Sequence, residues 1–158
     1  MRRMFGALIL AMVCSGMAFA QDETAGLENS VVKVFSSMRY PDPYKPWTKQ
    51  APTEATGSGV VISGNRILTN AHVVMFASEV QIRANQSGNK ITARVETLAR
   101  DMDLAILKVE DESFFKDHPP LGCASTLPEI KDAVMAFGYP VGGDSLSVTK
   151  GIVSRIDF

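Results

Sequence analysis

Two stretches of this chain, Glu79-Val80-Gln81-Ile82-Arg83-Ala84 and Lys90-Ile91-Thr92-Ala93-Arg94-Val95-Glu96, alternate polar and apolar residues one by one, with turn chemistry over residues 85–89 between them. A period of two puts successive side chains on opposite faces, so the pair reads as antiparallel strands with one wet side and one buried side. The apolar side, Val80, Ile82, Ile91, Ala93 and Val95, is expected to share a core with Val60, Ile62 and Leu68. Those three belong to a second hairpin. Residues 57–62 enter it through glycines, Ser63-Gly64-Asn65-Arg66 turns it, and Ile67-Leu68-Thr69 returns. Strand composition recurs at Val31-Val32-Lys33-Val34-Phe35, at Leu104-Ala105-Ile106-Leu107-Lys108-Val109, at Val134-Met135-Ala136-Phe137 and over residues 147–156. The prediction is all-β: a small closed or nearly closed antiparallel sheet, followed by the start of another.

The second hairpin runs into Thr69-Asn70-Ala71-His72-Val73-Val74, where a strand gives way to a short helical turn anchored in a core by its two valines. An unperturbed imidazole titrates near pH 6.5, so at the end of an element it can take and return a proton around neutrality. A packed structural histidine fits the same residues. Further on, Asp101-Met102-Asp103 opens the strand at Leu104 with a carboxylate pair. A carboxylate at the mouth of a strand can hold an imidazole by its far nitrogen and leave the near nitrogen free as a base. Asp103, next to the strand, suits that part better than Asp101. The plain alternative is two solvated turn acids.

Four ordered segments carry a resemblance. Gly57-Ser58-Gly59-Val60-Val61-Ile62, Leu68-Thr69-Asn70-Ala71-His72-Val73-Val74, Asp103-Leu104-Ala105-Ile106-Leu107-Lys108-Val109, and Gly138-Tyr139-Pro140 with Gly151-Ile152-Val153-Ser154 together resemble the HtrA/Deg family of trypsin-like serine proteases. The resemblance covers most of the chain after about residue 28. It implies a chymotrypsin-like antiparallel β-barrel fold with the first barrel complete and the second only begun. It also implies serine-type endopeptidase chemistry of the quality-control class, on unfolded protein or peptide substrates, with His72 as general base and Asp103 as its orienting carboxylate. On this reading the chain divides into a signal peptide at 1–20, a lead-in strand and Pro/aromatic-rich loop at 21–56, the rest of the first barrel at 57–118, and the start of a second barrel at 119–158.

The family's nucleophile lies in a Gly-Asn-Ser-Gly-Gly motif after the Gly-Ile-Val-Ser strand, and no such motif occurs in these 158 residues. The expectation is a fragment without a nucleophile, inactive alone. Gly143-Asp144-Ser145 echoes the nucleophile motif of digestive trypsins, but Leu146 stands where a glycine would let backbone N–H groups form an oxyanion hole. Ser145 therefore reads as a turn residue. The second functional reading is a non-catalytic peptide-binding or scaffold relative. A third, a β-barrel adaptor unrelated to proteases, has His72 and Asp103 far apart.

Arg2 and Arg3, an apolar run over residues 4–13 and Ala18-Phe19-Ala20 form the three parts of an export signal cleaved near Ala20. The run is far short of the roughly 20 residues that span a bilayer, so no transmembrane segment is expected in the mature chain. Met12 and Val13 are bulkier than a lipidation site at Cys14 tolerates. The expected location is the periplasm or the medium. Only Cys123 then remains, which cannot form an internal bridge, and Leu121-Gly122-Cys123-Ala124-Ser125 gives it no activating helix start. His72 and His118 with one cysteine argue against a zinc site, and no cofactor or metal is expected. His118, before Pro119 and Pro120, reads as a loop residue. With 16 basic and 17 acidic residues, nothing points to nucleic acid. Residues 38–56 hold Pro41, Pro43, Pro46 and Pro52 among Tyr40, Tyr44 and Trp47. Such a loop packs on its own surface or meets a partner, and the resemblance to a family in which loops of this region support oligomers implies Tyr44 and Trp47 as candidates for a homo-oligomer contact.

Overall fold

The computed structural model describes residues 26–157 apart from Gln86, so the expected signal peptide, Cys14 and the cleavage site at Ala20 lie outside the described residues. Among the described residues the strands are β1 (Val31–Met38), β2 (Thr53–Ile62), β3 (Arg66–Thr69), β4 (Ala77–Ala84), β5 (Ile91–Ala99), β6 (Leu104–Val109), β7 (Ala133–Gly138) and β8 (Ser147–Ile152). Two helical turns interrupt them, α1 (Ala71–Val74) and α2 (Phe114–Asp117). The first six strands close into a barrel in the order β1-β2-β3-β6-β5-β4, and every pairing in it is antiparallel. β7 and β8 make a separate two-stranded sheet, the second layer expected from the sequence.

Closure follows from the alternation. Val32 and Val34 of β1, Val61 of β2, Ile67 of β3, Leu107 of β6 and Ile82 of β4 are fully buried in one cluster. Each such side chain contributes about 1.5–3 kcal/mol on burial. The turn between β2 and β3 holds Gly64 and Asn65 at positive φ, a conformation glycine adopts freely and asparagine tolerates.

The inward face of the β2–β3 hairpin differs from the expected one. Val61 and Ile67, which pair across the hairpin, fill the barrel, whereas Val60, Ile62 and Leu68 point the other way. Gly57 and Gly59 share the inward face, and the space a Cβ would need is taken: at Gly59 it would lie 2.8 Å from Ile67 Cγ2 and 3.0 Å from Val34 Cγ2, and at Gly57 2.7 Å from Val73 Cγ2. Val60 and Leu68 instead line a cleft of about 510 Å³ with Leu121, Met135 and Phe137, between the barrel and the second sheet. Val95 also departs from expectation, at 38% exposed. Pairing between β4 and β5 stops at Ala93, so Val95 has no strand beside it on that side, and a bulge follows it against β6. β2 begins at Thr53, inside the stretch read as loop, because its early residues pair with the far end of β1.

The second sheet is fastened to the barrel by polar contacts. Tyr139 N–H donates to Ser58 Oγ at 2.8 Å, and Lys33 Nζ donates to the Gly143 carbonyl at 2.7 Å and to Asp144 Oδ1 at 2.9 Å. Arg83, directly opposite Lys33 on β4, donates to the same Asp144 oxygen at 2.9 Å. The loop folded over Lys33 buries this strand lysine, and its charge stays paired, as a buried charge must.

Candidate active site

α1 is placed by what surrounds it. Val73 and Val74 sink into the barrel end, and Gly57 leaves room for Val73. The Ser36 hydroxyl donates to the Val73 carbonyl, and Met75 N–H closes the turn on the Ala71 carbonyl at 2.8 Å. With Val73 and Val74 fixed inward, His72 faces out, its side chain 67% exposed.

Asp103 ends the turn between β5 and β6. Its N–H donates to the Arg100 carbonyl, and its φ of 52° lies in the left-handed region that aspartate enters more readily than most residues. Strand pairing of β3 with β6 brings Thr69 opposite Ala105, so the residues after β3 meet those before β6. His72 Nδ1 lies 2.7 Å from Asp103 Oδ2, and His72 N–H donates to Oδ1 at 2.9 Å. An ionised carboxylate only accepts, so Nδ1 carries the proton in this bond. In the neutral ring Nε2 then keeps its lone pair, aimed away from Asp103. Asn70 completes the group, its amide donating to Oδ2 and to the Asp103 carbonyl, both at 3.2 Å. Asp103 is held below the usual carboxylate range, first by the backbone N–H of His72, then by its ring, with Asn70 adding to the effect.

The other sequence candidates fall elsewhere. Ser145 borders a separate pocket with Glu28, Asn85 and Leu146, beside an Asp144 committed to Lys33 and Arg83. Cys123 is free and exposed. His118 stacks on Phe114 with ring centroids 4.4 Å apart, and its Nδ1 bonds the Asn29 carbonyl at 2.8 Å. In the proline-rich loop Asp42 accepts the N–H groups of Tyr44 and Lys45, a tight turn that leaves Tyr44 and Trp47 91% and 81% exposed, while Tyr40 packs on Phe76. The residue missed from sequence is Asn70. It read as part of a turn, and nothing in its identity told where its amide would point.

An imidazole on a strand-to-helix turn, held through Nδ1 by a carboxylate from a neighbouring strand of a six-stranded barrel, can be compared with proteins already characterised. Residues 57–158 match the family described as trypsin-like peptidase domain. The mitochondrial protease Do-like 4 of Arabidopsis thaliana is 45% identical over 130 residues, 82% of this chain and 25% of that protein. The chloroplastic protein Do-like 6 of the same plant is 40% identical over 156 residues, 99% of this chain and 68% of that protein. The chain belongs to the HtrA/Deg (Do-like) family of trypsin-like peptidases. Among solved structures, the active form of the Rv3671c protease from M. tuberculosis superposes with a TM-score of 0.64 at 28% identity, over 96% of this chain and 60% of that one. This chain thus spans about a quarter of the length of Do-like 4. No helix among the described residues is long and apolar enough to cross a membrane.

Proposed function

We propose that His72 and Asp103 are the general base and orienting acid of a serine-type endopeptidase of the HtrA/Deg kind. The observation that carries this is the 2.7 Å bond from His72 Nδ1 to Asp103 Oδ2, which presents Nε2 to solvent as the proton acceptor. A seryl hydroxyl from outside these 158 residues attacks the peptide carbonyl as Nε2 takes its proton. His72 then returns the proton to the leaving amine, and Asp103 supports the imidazolium while it lasts. The substrates are unfolded protein segments. The adaptor reading, which needs the two residues apart, has the His72–Asp103 contact against it. Hydrolysis of an unfolded protein such as reduced casein by the serine-bearing protein should fall to background in His72→Ala. Persistent turnover in that variant overturns the assignment.

Tyr44 and Trp47, fully presented by a closed turn, support a homo-oligomer contact through residues 38–56. The Tyr44→Ala/Trp47→Ala double variant should sediment as a smaller species, and unchanged sedimentation removes the idea. Arg2, Arg3, the apolar run and Ala18-Phe19-Ala20 support export with cleavage near Ala20. Amino-terminal sequencing of the mature protein should begin at Gln21, and an organellar processing site would contradict export.

A further inference from the structure

Asn70 stands at the N-cap of α1, a position where an asparagine side chain ordinarily accepts a hydrogen bond from the second or third N–H of the helix. Here it makes no cap bond. The N–H at the second position, that of His72, is taken by Asp103 Oδ1 at 2.9 Å instead. The acid thus caps the turn that carries the histidine, and the asparagine is released from capping. Its amide turns to Asp103, reaching Oδ2 and the backbone carbonyl at 3.2 Å each. Both neighbours are acceptors, which settles that the NH₂ end faces them. Asp103 Oδ2 therefore has two donors, the His72 ring and the Asn70 amide, and Oδ1 has a third in the His72 backbone. The Asn70 amide also ties the carboxylate to its own main chain, whose carbonyl accepts Ala71 N–H at 3.1 Å.

We infer that Asn70 is a positioning residue that fixes the plane of the Asp103 carboxylate, and through it the Nδ1–H tautomer of His72. The inference rests on the reading of His72 and Asp103 as base and orienting acid. The two donors from His72 reach one oxygen each, and both move with the histidine. The Asn70 amide adds a donor from outside that residue and holds Oδ2 where the ring Nδ1–H meets it. Asn70 is exposed and caps nothing, so its replacement should leave the fold intact and remove only its bonds to Asp103.

The test is ¹⁵N NMR of histidine-labelled chain at a pH where the ring is neutral, on the parent, Asn70→Ala and the nearly isosteric Asn70→Leu. The parent should show His72 protonated at Nδ1 and bare at Nε2, and both variants should show a several-fold larger share of the Nε2–H form, with unchanged melting. In the serine-bearing protein the same variants should lose about tenfold in kcat with KM unchanged, the size expected for one hydrogen bond to a charged group. If the parent has the Nδ1–H form and both variants keep it, the role of Asn70 is overturned while the His72–Asp103 reading stands. If the parent itself lacks it, both fall.

Discussion

Replacing Gly59 by alanine tests whether the β2–β3 hairpin that delivers His72 is held by steric fit. The added Cβ would sit 2.8 Å from Ile67 Cγ2, 3.0 Å from Val34 Cγ2 and 3.2 Å from Val32 Cγ2. Carbon pairs are comfortable at about 3.5–4.0 Å, so the new methyl is short of room on three sides at once. The three neighbours are fully buried and β-branched, with a stiff first torsion, so none can swing aside. Overpacking of this kind costs about 1–3 kcal/mol, against a gain of about 0.4–1 kcal/mol from a stiffer unfolded chain. The net loss, about 0–2.6 kcal/mol and centred at about 1.3 kcal/mol, corresponds, at an m-value of about 1–2 kcal/mol/M, to a urea midpoint lower by roughly 1 M. Gly122→Ala is the control, since nothing lies within 4 Å of its Cβ position, and its midpoint should hold or rise slightly through the stiffer unfolded chain. Adding Ile67→Ala, which deletes the nearest methyl, should show coupling of about 0.5–3 kcal/mol with Gly59→Ala. A Gly59→Ala variant that unfolds with its parent would refute the packing described for this face.

Two further outcomes are expected. Asp103 and Asp144 titrate below their ordinary 3.8 in the folded chain, Asp103 chiefly through the His72 backbone and Asp144 chiefly through Lys33 and then Arg83. Their contribution is present above the unfolded value and disappears as pH falls through the lowered one, so stability should drop below about pH 4. Urea midpoints from pH 6 to 2 should therefore fall more steeply for the parent than for Asp144→Asn, and parallel curves would contradict the clamp. A fluorophosphonate probe should leave Ser145 unlabelled, because no histidine lines its pocket and Leu146 follows it where an oxyanion hole needs glycine, and covalent labelling there would restore it as a nucleophile.

The all-β barrel was legible in the alternation and turn residues, whereas the meeting of His72 with Asp103 was legible through the resemblance to the HtrA/Deg family, because nothing in either segment alone says that β3 and β6 are neighbours. Which face of β2 and β3 points inward was not. Val60, Val61, Ile67 and Leu68 are all apolar, since one side fills the barrel and the other meets the second sheet, and two apolar faces give alternation no sign. The glycines at 57 and 59 held the answer, being small on the crowded side, but read as strand entry. The burial of Lys33 had no local signal, because the loop that covers it lies more than a hundred residues away. Val95 followed the alternation and still lies open, because the length of a ladder depends on the partner strand and not on the strand's own residues. Asn70 was hidden for a different reason: capping and donating to Asp103 use the same residue type at the same position.

Asp103→Asn in the serine-bearing protein tests the central claim most directly. An amide can offer its N–H to the imidazole and leave the wrong nitrogen protonated, which in the worked serine-protease example costs about 10⁴ in turnover without disturbing the geometry. A loss of that order, in a variant that melts with its parent, is the predicted result. Turnover within about tenfold of the parent would contradict it, because removing a transition-state interaction worth more than about 1.4 kcal/mol must cost more than that.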